Sequence, residues 1–126
     1  MSALSMDANL EKTLKIDQVL ERDTRYRAEA YGFVLEALGY TLRRRGSDGH
    51  VTAAELMRGI RDYAREQFGS LAKTVFNHWG INHSGQFGDL VFNLIDVELL
   101  GKRAEDRRED FDAASFDIDT ELVDRS

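Results

Sequence analysis

The stretch of residues 68–101 constrains the fold most, because its spacing is typical of two apolar-faced helices joined by a short turn. Gly80 is the residue type that commonly follows a helix end, and residues 81–85 form the predicted turn, with Ser84 as the expected N-cap of the next helix. The apolar residues of both helices recur at helical spacing. They are Leu71, Val75, Phe76 and Trp79 before the turn, and Phe87, Leu90, Val91, Leu94 and Ile95 after it.

Another helix is predicted over residues 25–43, and its apolar side chains are not confined to one stripe. Tyr26, Phe33 and Ala37 lie on one side, whereas Tyr31, Val34 and other large residues lie on the other. A helix that is apolar nearly all round is typically buried. We therefore expect this helix to be the centre of the core.

Two further helices complete the predicted helical part. The first begins at Asp7, which is the expected N-cap, and carries Leu10, Leu14 and Val19. After a polar loop at 43–49 and a very short strand at residues 50–51, Thr52 and Glu55 match a capping box. The helix that it opens runs to residue 68.

The C-terminal part predicts extended structure. Apolar and acidic residues alternate over 115–119, which is the period of a half-buried strand. The order of elements over residues 50–119 resembles a winged helix, with 102–110 as the tip of the wing. The predicted fold is therefore mainly α, a five-helix domain with a winged-helix-like C-terminal part and a small β-hairpin. The alternative is a plain helical bundle.

The residue strings resemble a small family of uncharacterised bacterial proteins found chiefly in planctomycetes and verrucomicrobia. The strings are RYRAEAYGFVLEALGYT, HVTAAELMRGIRDYAREQFG, LAKTVFNHWGI and FGDLVFNLIDVELLGK. The resemblance covers residues 14–118 and departs at Thr24, where a proline is expected. It implies a complete, stand-alone protein and no particular activity.

Length, charge and composition limit the function classes. The chain has 126 residues, enough for one domain over 1–126, with 1–6 and 120–126 expected to be mobile. Lysines and arginines balance acids at 14 each over 1–104, whereas 105–126 hold 3 arginines against 9 acids. An acidic tail disfavours a phosphate backbone as partner. No apolar run is long enough to span a membrane, and the lack of cysteine favours a cytoplasmic location.

Candidate catalytic and metal-binding residues form no convincing constellation. His50, His78 and His83 lack further ligands at metal-site spacing. Ser84, His83 and Asp89 have no nucleophile elbow or oxyanion loop around them. Asp110 and Asp112 resemble the start of a calcium loop, but Ser115 stands where that loop requires a glycine. We expect no metal, no cofactor and no catalysis.

The alternative function is that of a nucleic-acid-associated regulator. Its basic patch would consist of Arg43, Arg44, Arg45, Arg58, Arg61 and Arg65. Glu55, Asp62 and Glu66 interleave with these arginines and can pair with them. The helix after the turn carries Asp89, Asp96 and Glu98, which disfavours DNA reading.

Protein contact is the predicted function. Core packing is expected for Trp79, whereas Phe92 and Val97 are predicted to lie off the Leu90/Leu94 face, where apolar side chains often mark a partner site. We therefore expect a non-catalytic protein-interaction or assembly module of winged-helix-like shape. The simplest protein partner is a second copy, in a homodimer.

Overall fold

The structure is a computed structural model that describes residues 3–46, 50–101 and 107–122, and within these it is helical without strands. Short 3-10 turns at Gly69–Leu71 and Ser84–Gln86 precede the fourth and fifth helices. The α-helices are α1 (Ala3–Arg22), α2 (Ala28–Arg45), α3 (Ala53–Phe68), α4 (Ala72–His78), α5 (Phe87–Asp96), α6 (Arg108–Ala113) and α7 (Ile118–Glu121). The mainly α class is confirmed, and α1 to α5 correspond to the predicted helices.

Helix α2 lies at the centre, as the sequence predicted, and packs against α1, α3 and α5. Tyr31 and Phe33 are 0% and 3% exposed although they lie on different sides of the helix. Phe33 is the hub of an aromatic cluster, with ring centroids 5.3 to 6.1 Å from its own. Its neighbours are Tyr63, Phe68, Phe76, Trp79 and Phe87. The predicted core role of Trp79 is confirmed.

Helix α3 begins at the predicted capping box. The backbone N–H of Glu55 donates to the Thr52 hydroxyl at 3.1 Å, and the Thr52 N–H donates to the Glu55 carboxylate at 3.0 Å. Residues 50–51, predicted as a strand, are instead irregular chain that leads into this cap. Likewise α1 begins at Ala3 and not at Asp7.

The turn between α4 and α5 confirms the role of Gly80. Its φ of 94° is left-handed, and its N–H donates to the Asn77 carbonyl at 3.1 Å while Ile81 donates to Phe76 at 2.9 Å. This is the Schellman arrangement, which satisfies the last carbonyls of a helix. A Cβ at Gly80 would overlap the Arg25 carbonyl, so the turn packs directly on the chain that enters α2.

Ser84 is not the N-cap that the sequence predicted. It is fully buried, and its hydroxyl donates to the Phe116 carbonyl and accepts from the Phe116 N–H, each at 2.7 Å. The turn is held instead by Gln86, whose amide oxygen accepts from the N–H groups of Asn82 and His83. Ser84 therefore ties the C-terminal segment to the turn.

The predicted β-hairpin and winged-helix shape are wrong for the described residues. Helices α6 and α7 replace the strands, and residues 107–110 of the expected wing tip are the N-cap and first turn of α6. Residues 102–106 of that tip lie outside the described residues. Asp117, taken as one step of a strand alternation, caps α7 by accepting from the Asp119 N–H at 2.8 Å.

The C-terminal segment is anchored by three apolar residues rather than by a sheet. Phe111, Ile118 and Leu122 are 4%, 5% and 2% exposed and belong to the same core cluster as α1 to α5. Helix α6 packs on α3 and α5. The core thus extends to Leu122, within the stretch that the sequence predicted to be mobile. As expected, none of the helices in the described part is long and apolar enough to cross a membrane.

Candidate functional site

An apolar pocket of about 180 Å³ lies where α2, α5, α6 and the start of α3 meet; we call it the α2–α5 pocket. Its walls are mostly hydrocarbon, with a smaller polar part. They are formed by Leu38, Leu42, His50, Val51, Thr52, Ala53, Leu56, Val91, Phe92, Ile95, Leu100, Gly101 and Phe111. Its mostly apolar lining suits the pocket to binding an apolar group.

Two walls of this pocket are formed by apolar residues that recur at helical spacing. Leu38 and Leu42 are four residues apart on α2, and Phe92 and Ile95 are three apart on α5, so each pair shares a helix face. Phe111 of α6 closes the pocket against Phe92, with ring centroids 6.1 Å apart and an interplanar angle of 86°. Such an edge-to-face contact is favourable for aromatic rings.

The polar groups at the pocket already serve the capping of α3. Thr52 is engaged with Glu55 in the capping box, and the carbonyl of His50 accepts from the Arg45 guanidinium at 2.7 Å. Arg45 also binds the Glu55 carboxylate at 3.1 Å. These contacts orient residues 50–53 as a wall and offer little polar recognition to a ligand.

The pocket volume indicates what it can hold. An apolar cavity of about 150 Å³ is large enough for a benzene molecule, whereas pockets for cofactors and drug-sized ligands usually measure about 300–1,000 Å³. A volume of about 180 Å³ therefore suits one large apolar side chain.

The two predicted interface residues have different positions. Phe92 is half-buried and lines the pocket. Val97 is 7% exposed, so the expectation that it lies off the buried face is wrong. Val97 comes seven residues after Leu90 and three after Leu94, and it therefore continues their buried row.

Most of the predicted basic patch is paired with acids. Arg44 binds Asp62 at 3.0 Å, and Arg61 binds the same carboxylate at 3.0 Å. Arg65 binds Glu121 of α7, donating to its carboxylate at 3.2 Å and to its carbonyl at 2.6 Å.

Arg43 and Arg58 complete the predicted patch. Both are exposed and make no ion pair with any residue in the described part of the chain. Arg44 also lies against the ring of Tyr40, with 5.2 Å from its guanidinium carbon to the ring centroid. The arginines are therefore not a continuous free cationic surface.

A polar cluster that the sequence did not predict surrounds Asp89 on α5. Its carboxylate accepts from the Tyr26 hydroxyl at 2.7 Å and from Arg108 at 2.8 Å, and Arg25 approaches to 3.3 Å. Asp23 binds Arg25 at 2.8 Å. Asp89 was interpreted as a residue that would repel phosphate, but two arginines compensate its charge.

The ionisation of this cluster follows from its contacts. Burial alone would raise the pKa of Asp89, but hydrogen bonds from Tyr26 and Arg108 outweigh it, so the pKa lies below its usual range. The hydrogen bond from Arg25 lowers the pKa of Asp23. Burial, followed by the contact with Asp89, raises the pKa of the Tyr26 hydroxyl. Each group is thus held in its ordinary charge state at neutral pH, which is a structural role.

The candidate catalytic and metal-binding groups are not brought together. The Ser84 hydroxyl is engaged with Phe116, and Asp89 is engaged with Tyr26 and Arg108. Within the described ranges, no three His, Asp or Glu side chains are arranged to hold a metal ion.

Comparisons with known proteins find no relative of this chain. The chain matches no family model, and neither a curated protein nor a solved structure resembles it significantly. The fold and the pocket are therefore interpreted from the residues of this chain alone.

Proposed function

We propose that this protein is a non-catalytic protein-interaction module whose α2–α5 pocket receives an apolar side chain of a protein partner. The observation that carries the proposal is that the pocket has a mostly apolar wall and a volume of about 180 Å³, which suits one large apolar side chain. Protein interfaces are commonly anchored by one large side chain buried in such a pocket. The proposal requires no winged-helix-like shape.

The nucleic-acid alternative has less support. Arg44, Arg61 and Arg65 neutralise acids of the same molecule, which leaves few cations for phosphate contacts. Binding of nucleic acid is one of the outcomes that the experiment below distinguishes.

Filling the pocket tests the proposal. Ala53 lines it and is 8% exposed, whereas its neighbour Ala54 is exposed outside it. We expect a tagged Ala53→Leu chain to lose a protein that wild-type and Ala54→Leu chains both retain from native cells. The added methyl groups occupy the space that the partner's side chain requires. Circular dichroism verifies that both variants are folded.

Two results would contradict this function. One is capture of the same proteins in equal amounts by all three chains. The other is binding of duplex DNA or RNA at low salt that is lost in Arg43→Glu or Arg58→Glu chains and is unchanged in the Ala53→Leu chain. That pattern would favour the regulator.

A further inference from the structure

Helix α1 carries an apolar face that nothing in the described part of its own chain covers. Leu10 and Leu14 are 59% and 53% exposed, whereas Ile16 and Val19 of the same helix are 8% and 1% exposed. Leu10 and Leu14 are four residues apart and therefore lie on one face, which points away from the core. Adjacent exposed leucines form a patch, whereas a single exposed leucine is ordinary.

We infer that the protein associates with itself, with Leu10 and Leu14 of one copy seated in the α2–α5 pocket of a second copy. The inference rests on the proposed function, because it names the partner of the same pocket. Leucines at i and i+4 lie about 6 Å apart along a helix axis. One can fill a pocket of about 180 Å³ while the other packs on its rim, as in other complexes of a helix with an apolar groove.

Charge complementarity supports this occupant. The face of α1 that bears Leu10 and Leu14 continues with Asp17 and Glu21, both exposed, at helical spacing. Helix α2 ends with three arginines directly after the pocket residue Leu42. Of these, Arg43 has no ion pair with a described residue, so the acids of α1 can bring it a counter-charge.

The symmetry of the assembly follows from the positions of the two surfaces. The face of α1 that bears Leu10 and Leu14 points away from the core of its own chain. The pocket that these leucines occupy therefore belongs to another copy. If each copy inserts α1 into the other, both pockets are filled and the assembly closes as a twofold dimer.

Cross-linking tests the contact directly, because the chain has no cysteine. Leu14→Cys and Val51→Cys chains are prepared separately, mixed and oxidised. We expect the mixed disulfide to form faster than either self-disulfide. The matched control replaces the Leu14→Cys chain by a Leu71→Cys chain, since Leu71 is 63% exposed outside α1 and the pocket.

The inference is wrong if the disulfide between Leu14→Cys and Val51→Cys chains forms no faster than the disulfide between Leu71→Cys and Val51→Cys chains. It is also wrong if Leu14→Cys chains link to each other as fast as to Val51→Cys chains, because that would indicate pairing of α1 with α1.

Sedimentation velocity measures the strength of the association. A Leu10→Glu/Leu14→Glu chain should associate at least about tenfold more weakly than the wild type, and a Leu71→Glu chain should not differ from it. Far-ultraviolet circular dichroism verifies that the double variant is folded. A dimer that survives the double substitution would contradict the contact.

A wild-type chain that stays monomeric at millimolar concentration would overturn self-association alone. The comparison of Ala53→Leu with Ala54→Leu chains would still test whether the pocket binds another protein.

Discussion

At the scale of single residues, the carboxylate of Asp89 connects the entry to α2, helix α5 and helix α6. It accepts hydrogen bonds from Tyr26 and Arg108 and lies 3.3 Å from Arg25. Its folded-state pKa lies below the usual value for a carboxyl group. A carboxyl group with a depressed pKa contributes stability above its unfolded pKa, and this contribution disappears as the pH falls through the folded pKa.

The Asp89→Asn substitution tests this contribution. At pH 7 we expect the free energy of unfolding to fall by about 1–2 kcal/mol, because charge-assisted hydrogen bonds are lost. The difference from wild type should shrink as the pH falls below the ordinary pKa of an aspartate, about 3.9, because Asp89 of the wild type then takes up a proton. Urea unfolding across this pH range measures both effects.

Glu36 provides the control, since it is exposed on α2 and makes no ion pair with a described residue. A Glu36→Gln chain should match the wild type at pH 7. An Asp89→Asn difference that does not shrink on acidification would contradict the assigned role.

At the scale of helices, the sequence predicted the elements whose signals are local. Helix periodicity identified α2, α3 and α5, and the Thr52–Glu55 cap and Gly80 marked ends correctly, because backbone geometry at these points depends on neighbouring residues. The strand predicted around Ile118 rested on too few residues. The acidic residues of this segment alternate with apolar ones because Asp117 caps α7. In so short a segment, the sequence does not distinguish a helix cap from the alternation of a strand.

The docking of α6 on α5 could not be predicted, because it depends on a glycine whose role is tertiary. A Cβ at Gly88 would lie 2.6 Å from an Arg108 guanidinium nitrogen and 2.9 Å from the Phe111 Cβ. Arg108 can move aside, but Phe111 is 4% exposed and its Cβ is fixed by the backbone of α6. Gly88 therefore sets the distance between the two helices.

Two glycine substitutions separate this packing effect from helix propensity. We expect Gly88→Ala to lower the free energy of unfolding by about 1–3 kcal/mol through overpacking. Gly32→Ala, in a helix where the new Cβ meets nothing within 4 Å, should raise it by up to about 1 kcal/mol. Chemical denaturation gives both values, and stabilisation by both substitutions would contradict the close contact between α5 and α6.

At the scale of the whole molecule, the candidate site is a product of tertiary packing. Phe92 was identified from the sequence because it lies off the buried face of α5, and it does line the pocket. The other walls come from α2, α6 and the entry to α3, and no local pattern indicates that these segments meet. The exposure of Leu10 and Leu14 was equally hidden, since a sequence alone does not show which apolar residues the core leaves uncovered.

The central claim is that the α2–α5 pocket receives α1 of a second copy, and methyl NMR over a dilution series of the wild-type chain tests it most directly. The account predicts that methyl resonances of Leu42, Val51 and Ile95 shift as concentration rises, because α1 of a second copy enters the pocket. Val75, half-buried on α4 outside the pocket, should keep its resonances unchanged. Pocket resonances that stay constant up to millimolar concentration, or that shift no more than those of Val75, would contradict the account.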